Sequence, residues 1–339
     1  MRIDSLMDKY ILCCDWGTTS FRLRLVERKD YRVLAELLSK DGVAGTFRAW
    51  KEQNELSRFD FYAAILKGSI RELAKRSSFS LDNIPVIVSG MASSSIGMEE
   101  IPYAELPFES NGSQASVRVF KNFNGAKCPL VLVSGVKSHE DVMRGEEAQL
   151  IGLLKLNEIT IHGSEEIIFV FPGTHSKHIV VKDGFVTDFQ TFMTGEIYNI
   201  LCEHSILKDS VLGGSGAGLK VQEEINAFIK GVEVSGTSSL LHSLFTVRTG
   251  QLFGQFSKEQ NSFYLSGLLI GSELRQLKDG NYDRLVICSG KHLYDHYKLA
   301  AEAISLQFNT TFIQPDLIDK ATIAGQVQIF NALQTASYE

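Results

Sequence analysis

The pattern of apolar and polar residues predicts short buried strands that alternate with amphipathic helices. Residues 10–14 are apolar, residues 15–20 form a turn of small and hydroxyl side chains, and residues 21–26 alternate apolar side chains with arginines. That alternation has the period of a strand with one buried face. Because residues 31–39 continue the pattern, we expect an antiparallel meander of three strands at the start of the chain.

Further elements follow from the same periods, and together they favour the α/β class. Residues 59–75 have the apolar spacing of a helix that covers a sheet, whereas residues 42–50 are predicted to be a loop. Residues 101–108, which contain two prolines, are expected to form an extended loop that closes a pocket. The other predicted strands are 85–89, 117–120, 129–133, 185–192, 284–289 and 308–314, and the other predicted helices are 145–156, 194–201, 263–274, 290–303 and 316–333.

A second hairpin, at residues 167–181, has the same plan as the first one. An apolar strand runs into a turn that contains Gly173, Thr174 and His175, and an apolar strand returns. Glycine lets a backbone approach a ligand closely, and amides and hydroxyls in such turns donate hydrogen bonds to anions. Two such hairpins indicate two related domains that hold one phosphate group from two sides. The alternative is two ordinary hairpins with hydroxyl residues in their turns.

Five motifs follow one another along the chain. They are DWGTTSFR (15–22), DVMRGEEAQLIG (141–152), PGTHSKHIVV (172–181), TFMTGEIYNIL (191–201) and FYLSGLLIGSEL (263–274). In this order they resemble the 2-dehydro-3-deoxygalactonokinase family of the actin/hexokinase/sugar-kinase superfamily. Many kinases share the first motif, whereas MRGEE together with PGTHSKH is much more specific.

The resemblance implies a two-domain actin-like ATPase (ribonuclease H-like) fold with its active site in the interdomain cleft. The N-terminal domain, 1–157, would carry the phosphate-1 loop and the sugar-acid site. The C-terminal domain, 158–339, would carry the phosphate-2 loop and the adenosine site. The last helix, 316–333, would pack back towards the first domain as a hinge.

The resemblance also implies roles for individual residues. Asp15 ends the first buried strand, where a carboxylate suits a metal ion held through water, and it would hold the Mg²⁺ that accompanies ATP. Nucleotide contacts would come from Gly195, Glu196 and Gly290. Phosphate contacts would come from Gly17, Thr18, Thr19, Gly173, Thr174 and His175.

Two glutamates open the helix predicted at 145–156. The first turn of a helix favours a carboxylate, and members of this superfamily place the catalytic acid at such a helix start. We therefore predict that Glu146 accepts the proton of the substrate hydroxyl, with Glu147 and Asp141 as alternatives. Both glutamates could instead be ordinary N-terminal helix charges. Arg144 would pair bidentately with the substrate carboxylate.

Other substrate contacts are expected where a strand ends. Ligands of open α/β sheets bind beyond the carboxyl ends of the strands. Ser93 and Ser94, which follow the strand at 85–89, are therefore candidates to bind sugar hydroxyls, although solvent-facing serines in a turn are the alternative. Arg22 would supply positive charge at the substrate or at the transferring phosphate.

Two segments with several small residues have competing interpretations. Residues 213–218 are rich in glycine but follow no apolar strand and lack the GK[ST] sequence, so we interpret them as a flexible surface turn and not as a P-loop. In the helix at 263–274, Ser266, Gly267 and Gly271 lie on one side. They permit close approach of another helix or of adenine.

Composition narrows the classes of function. The 339 residues carry a formal charge of −6, which argues against non-specific binding to nucleic acid or to a membrane surface. Anionic substrates then need a few well-placed cations. Five scattered cysteines without a CxxC pair indicate reduced, buried thiols and a cytoplasmic location. No apolar run approaches the length of a transmembrane helix, and His175 and His178 lack the further ligands of a zinc site.

The expected reaction is phosphoryl transfer from ATP, with Mg²⁺, to 2-dehydro-3-deoxy-D-galactonate, giving its 6-phosphate in galactonate or galactose catabolism. The expected partners are the sugar acid and ATP, with no nucleic acid and no membrane, and the assembly could be a homodimer. The alternatives are a kinase for another sugar acid such as 2-dehydro-3-deoxygluconate, an actin-like phosphatase or ATPase, and an actin-like nucleotide-binding module. No motif encodes the orientation of a single sugar hydroxyl.

Overall fold

The computed structural model describes residues 9–53, 55–77, 79–124, 128–212, 218–219, 221–278 and 280–336. Residue contacts group the chain into two compact units. Unit 1 comprises Met1–Thr160, Gly184–Asp188 and Asp319–Glu339, and unit 2 comprises Ile161–Asp183 and Phe189–Ile318.

Strands and helices alternate along the described residues, so the predicted α/β class is confirmed. The strands are β1 (Tyr10–Trp16), β2 (Phe21–Glu27), β3 (Arg32–Ser39), β4 (Val86–Gly90), β5 (Ala104–Glu105), β6 (Phe108–Glu109), β7 (Val117–Phe120), β8 (Leu130–Val133), β9 (Val136–Lys137), β10 (Val142–Met143), β11 (Glu166–Phe171), β12 (Ser176–Lys182), β13 (Phe185–Phe192), β14 (Arg284–Ile287) and β15 (Thr310–Phe312). The α-helices are α1 (Val43–Lys51), α2 (Arg58–Ser77), α3 (Glu146–Lys155), α4 (Thr194–His204), α5 (Gln222–Val234), α6 (Leu240–Leu252), α7 (Lys258–Leu274), α8 (Tyr294–Ala303) and α9 (Pro315–Ala336). Short 3₁₀ turns lie at Met91–Ser93, Ile206–Asp209, Arg275–Leu277 and Gln307–Asn309.

The two units share one strand order. In unit 1 the order is β3-β2-β1-β4-β8-β7, and in unit 2, read from the opposite edge, it is β13-β12-β11-β14-β15. Each sheet therefore contains a hairpin, β1–β2 or β11–β12, whose first strand is also parallel to the next strand of the sheet. The first residues of β13 pair with β6 and are grouped with unit 1. The strands β10, β9 and β5 form a small separate sheet.

Asp15 lies near the carboxyl end of β1, which is one of the two central strands of the unit 1 sheet. Asp15 lies opposite Arg22 on β2 and opposite Ser89 on β4. Because β1 and β4 are parallel, their carboxyl ends meet at one edge of the sheet. That edge carries both Asp15 and the turn that follows β4.

Helix α1 occupies the segment that was predicted to be a loop, so that prediction is wrong. The amides of Val43 and Ala44, which open the helix, donate to the carbonyls of Gly17 and Thr18 in the β1–β2 turn. Amides at a helix start otherwise lack partners, and no side chain caps this start. A tertiary contact stabilises the helix, and the local pattern does not contain that information.

Helices α3 and α9 approach each other within unit 1 at small residues. A Cβ on Gly325 would overlap the carbonyl of Ala148, and a Cβ on Gly152 would overlap the carbonyl of Ala321. This contact requires glycine because the two backbones touch. It fixes α3, and therefore the two glutamates at its start, against α9.

A side chain of helix α9 also forms hydrogen bonds to two central strands of unit 1. The buried Gln326 donates from Nε2 to the carbonyl of Cys14 and to Oγ of Ser89, both at 2.8 Å. One amide therefore links β1 and β4 next to their carboxyl ends.

In unit 2, α7 packs closely against α5. A Cβ on Gly267 would overlap the carbonyl of Phe228, and a Cβ on Gly271 would lie 3.0 Å from Cα of Val232. These two glycines of the 263–274 segment therefore serve helix packing. The helices α5 and α6 had no counterpart among the sequence predictions, and most of the glycine-rich segment 213–218 lies outside the described residues.

The predicted burial of the cysteines is confirmed, because all five are buried, and they are unpaired. Within the described part of the chain, every helix is too short or too polar to cross a bilayer.

Two glycine substitutions should change the stability of unit 1 in opposite directions. An added Cβ at Gly45 in α1 would meet no described atom within 4 Å, and alanine is the better helix former, so G45A should raise the free energy of unfolding by ~0.5–1 kcal/mol. G325A should lower it by ~2 kcal/mol because its Cβ has no room. Urea denaturation measures both changes. A G325A protein as stable as wild type would contradict the α3–α9 contact.

Candidate active site

Asp15 and two arginines form a charged group at the edge of the unit 1 sheet. Nη1 of Arg22 lies 3.7 Å from Oδ2 of Asp15 and 3.0 Å from Oδ1 of Asp319 on α9. Nη2 of the buried Arg24 lies 3.7 Å from the same Asp319 oxygen. Burial raises the pKa of Asp15, and the charges of Arg22 and Arg24 oppose that rise. Asp15 is therefore a half-buried carboxylate whose negative charge is partly balanced.

The backbone of β4 passes directly beside Asp15. Gly90 has a φ of 86°, and a Cβ there would lie 2.8 Å from the carbonyl of Trp16 and 3.3 Å from Oδ1 of Asp15. Gly145, with a φ of 115°, lies against Gly90, since its Cβ would be 3.8 Å from Cα of that residue. Both positions favour glycine. The start of α3 is thereby brought close to Asp15.

Arg144, immediately before Gly145, is held by three side chains. Its Nη1 donates to Oγ of Ser93 and, at 3.3 Å, to Oγ of Ser134. Its guanidinium carbon lies 4.3 Å from the centre of the Tyr103 ring, a cation–π contact. The structure therefore brings the predicted Ser93 and Arg144 together.

Sequence reasoning missed Tyr103 and Ser134. Tyr103 lies in the segment that was expected to close a pocket, but nothing in its pattern pointed to an arginine partner. Ser134 directly follows β8, which is the same kind of strand-end position that singled out Ser93. That rule, applied to every parallel strand, would have found it.

The structure does not bring Ser94 to Arg144. Its hydroxyl donates to the carbonyl of Met91 at 2.7 Å, and the residue is buried within the turn.

The two glutamates at the start of α3 have different environments. Oε2 of Glu146 accepts the backbone N–H of Arg144 at 3.1 Å, and the side chain is only partly buried. Glu147 is 1% exposed, and its Oε2 accepts the N–H of Gly145 at 2.6 Å. Its Oε1 is buried without a hydrogen-bond partner among the described residues. Glu146 is the carboxylate that a ligand can reach.

Burial and the neighbouring charge of Glu146 raise the pKa of Glu147 to about 8. Glu147 is therefore mostly protonated at neutral pH. The third candidate, Asp141, accepts the amide of Val142 at 2.7 Å just before β10.

The turn between β1 and β2 exposes its hydroxyl residues. Thr18 and Thr19 are exposed, and the N–H of Gly17 donates to the carbonyl of Ser20 at 2.9 Å. This geometry leaves the two threonine side chains at the surface, where they could meet an anion.

Unit 2 contains a cavity of about 490 Å³. Gly173, Thr174, Thr194 and Gly195 form a polar part of its wall, and Leu212, Phe263, Leu269, Ile270 and Leu293 are its apolar wall. Ser266 lines it as well, unlike its neighbour Gly267. A cavity of this size and character fits a nucleoside.

The start of α4 is locked to the β11–β12 turn at the cavity. A Cβ on Gly195 would lie 2.7 Å from the carbonyl of Gly173, and the amide of Glu196 donates to the carbonyl of Thr174 at 3.0 Å. The side chains of His175 and Glu196 are hydrogen-bonded to each other. The predicted phosphate and nucleotide residues of this region are therefore neighbours.

Gly290 is placed differently from Gly195. Its carbonyl accepts the amides of Leu293 and Tyr294 at the start of α8, and it does not line the cavity, although His292 and Leu293 do.

Among the described residues, no group of three or more His, Cys, Asp or Glu side chains has the geometry of a metal site. His178, which the sequence analysis considered with His175 as a zinc site and rejected, is buried and contacts Glu273.

Two α/β units with one strand order, a nucleoside-sized cavity beside a Gly-Thr turn, and a cluster of acids and arginines define an actin-like ATPase fold of the sugar-kinase type. Comparison with known proteins then identifies the family. The model of the 2-keto-3-deoxy-galactonokinase family matches residues 15–329, and the chain belongs to that family.

Individual relatives agree with this assignment. The 2-dehydro-3-deoxygalactonokinase of Escherichia coli K12 is 34% identical over 233 residues, which are 66% of this chain and 72% of that protein. A Rhizobium meliloti 1021 protein, named "Probable 2-dehydro-3-deoxygalactonokinase DgoK1", is 29% identical over 307 residues, or 88% and 90% of the two chains. A crystal structure from Sinorhizobium meliloti, described under the same enzyme name, matches with a TM-score of 0.75 and 27% identity over 96% of this chain and 99% of that one. The family resemblance and the actin-like fold predicted from the motifs are confirmed.

The raised pKa of Glu147 predicts a pH-dependent difference in stability. Between pH 4.5 and about 8 the folded protein holds a proton on Glu147 that the unfolded chain releases, so this group stabilises the folded state less as pH rises. E147Q mimics the protonated form. The melting temperature of E147Q minus that of wild type should therefore increase from pH 5 to pH 8. A constant difference over this range would show that Glu147 does not titrate there.

Proposed function

We propose that this protein is an ATP-dependent kinase that phosphorylates 2-dehydro-3-deoxy-D-galactonate to its 6-phosphate. The observation that carries the proposal is the Arg144 guanidinium, which Ser93, Ser134 and Tyr103 hold next to the start of α3. Family membership and the named relatives support the same activity.

Arg144 would bind the carboxylate of the sugar acid. Both of its side-chain hydrogen bonds use Nη1, so Nη2 and Nε are presented to a ligand as a fork. Such a fork matches a carboxylate geometrically. Ser93 and Ser134 would orient the sugar as well as the arginine, and Arg22 would add positive charge near the transferring phosphate.

Glu146 would act as the general base. It must accept the proton of the attacking hydroxyl, and its partial exposure allows that contact. The proton held by Glu147 removes a second negative charge that would repel the phosphates. Water exclusion and positioning would supply most of the remaining rate acceleration.

ATP would place its nucleoside in the unit 2 cavity. In unit 2, the exposed turn residues Thr174 and His175 and the backbone at Gly173 and Gly195 would bind phosphate. In unit 1, the turn residues Gly17, Thr18 and Thr19 stay predicted phosphate contacts. Gly173 offers open space at its Cα, which allows close approach of a phosphate.

Mg²⁺ would be bound by Asp15 through water. A single half-buried carboxylate fits this ion, because Mg²⁺ keeps several waters and takes its other ligands from the phosphates. The ion would neutralise charge that develops on the phosphate oxygens. We also propose a cytoplasmic location, since all five cysteines are buried thiols.

An assay of ADP release tests the reaction. With ATP, Mg²⁺ and a panel of sugar acids, we expect release with 2-dehydro-3-deoxy-D-galactonate and little with the gluconate epimer. Release with both epimers would support the kinase activity but would contradict its specificity for the galactonate epimer. Release without any sugar would favour a phosphatase or ATPase, and no release despite ATP binding would favour a binding module.

The substitution E146Q tests the base. Turnover should fall by about 10²–10⁴-fold because the hydroxyl proton loses its acceptor, while the Kd of ADP stays unchanged. E140Q, at an exposed position just before β10, is the matched control and should keep wild-type turnover. Wild-type turnover of E146Q would exclude Glu146 from this role.

The substitution R144K tests the carboxylate contact. A lysine cannot form the fork, so the KM of the sugar acid should rise about tenfold to a hundredfold while the KM of ATP is unchanged. R118K is the control, because Arg118 is an exposed arginine of β7 paired with Glu99. A change in the KM of ATP as large as that of the sugar acid would argue against this site.

A further inference from the structure

Glu273 is a buried carboxylate in α7 that the proposed reaction does not use. Only 1% of its side chain is exposed. Its Oε1 lies 3.1 Å from Nε2 of His178, and its Oε2 accepts hydrogen bonds from Oη of Tyr297, at 2.8 Å, and from Oγ1 of Thr194. A buried carboxylate is tolerated only when such bonds are complete.

The network continues to the β11–β12 turn. Oη of Tyr297 lies 3.1 Å from Oγ of Ser176, and that Oγ accepts the N–H of Gly173 at 3.3 Å. Gly173, Thr194 and Tyr297 all line the unit 2 cavity. One carboxylate therefore connects three parts of its wall.

The carboxylate also determines the direction of every bond in this chain. The hydroxyl of Tyr297 donates its proton to Oε2 of Glu273. The Tyr297 oxygen can then only accept from Ser176, whose oxygen in turn accepts from Gly173. Burial and the charge of Glu273 raise the pKa of Tyr297, which keeps this hydroxyl protonated.

We propose that Glu273 is a positioning residue for the phosphate-binding part of the nucleotide site. It fixes the β11–β12 turn and the start of α4 through Tyr297, Ser176 and Thr194, without touching the nucleotide. This inference rests on the proposed function, because it assumes that the cavity binds ATP.

The test separates phosphate binding from nucleoside binding. In Y297F the ring that lines the cavity remains and only the hydroxyl relay is lost. Isothermal titration of the full chain without sugar acid should show a three- to tenfold rise in the Kd of ADP and ATP. The Kd of adenosine should stay within about twofold of wild type.

Y264F is the matched control. Tyr264, which lies in α7, is buried like Tyr297. Its Oη lies 2.7 Å from Oγ1 of Thr246, but it does not line the cavity. This variant loses one partly buried hydrogen bond, so its melting temperature should fall, although by less than that of Y297F, which removes a donor from a buried acid. Its affinities for ADP, ATP and adenosine should be those of wild type.

A double variant tests the relay itself. S176A should weaken ADP binding like Y297F, and Y297F/S176A should be no weaker than either single variant, because one relay is broken in all three. Three results would overturn the positioning role. The losses of ADP affinity could add in the double variant, they could be equal in Y297F and Y264F, or Y297F could lose as much affinity for adenosine as for ADP. A wild-type protein that binds neither ADP nor ATP would instead overturn the proposed nucleotide site.

Discussion

Close backbone approach at Gly90 and Gly145 is the constraint on which the unit 1 site depends. A side chain at Gly90 would collide with the end of β1, and the backbone at Gly145 lies in van der Waals contact with Gly90. Because both glycines have positive φ, the chain turns there at low cost. Asp15 comes from one segment and the pair Arg144 and Glu146 from another, and this backbone contact brings them to one edge of the sheet.

The buried acids of the two candidate sites, Glu147 and Glu273, have different surroundings. In unit 1, Glu147 lacks enough donors, so burial raises its pKa and the group keeps its proton. In unit 2, Oε2 of Glu273 accepts hydrogen bonds from Tyr297 and Thr194, and its Oε1 contacts Nε2 of His178. Such contacts offset the free energy of removing an acid from water. The two buried acids therefore differ in their hydrogen-bond partners, and Glu273 connects the hydroxyl groups of Tyr297 and Thr194.

A chain with a formal charge of −6 must bind anions by local arrangement. Arg144 is oriented by neutral partners, two serines and a tyrosine ring, and this leaves its charge for a ligand. Arg22 is different, because two carboxylates, Asp15 and Asp319, already share its charge. This difference makes Arg144 the better anchor for a sugar acid.

The sequence by itself determined the α/β class, both hairpins, the helix start at Glu146 and the family, because strand period, turn residues and motif order are local properties. Only the tertiary structure decided which glutamate is accessible, that α1 is a helix, and that Tyr103 and Ser134 hold Arg144. It also showed that Gly267 packs against α5 while Ser266 faces the cavity. These facts depend on contacts between residues far apart in the chain, and neither hydrophobic period nor motif spacing contains them.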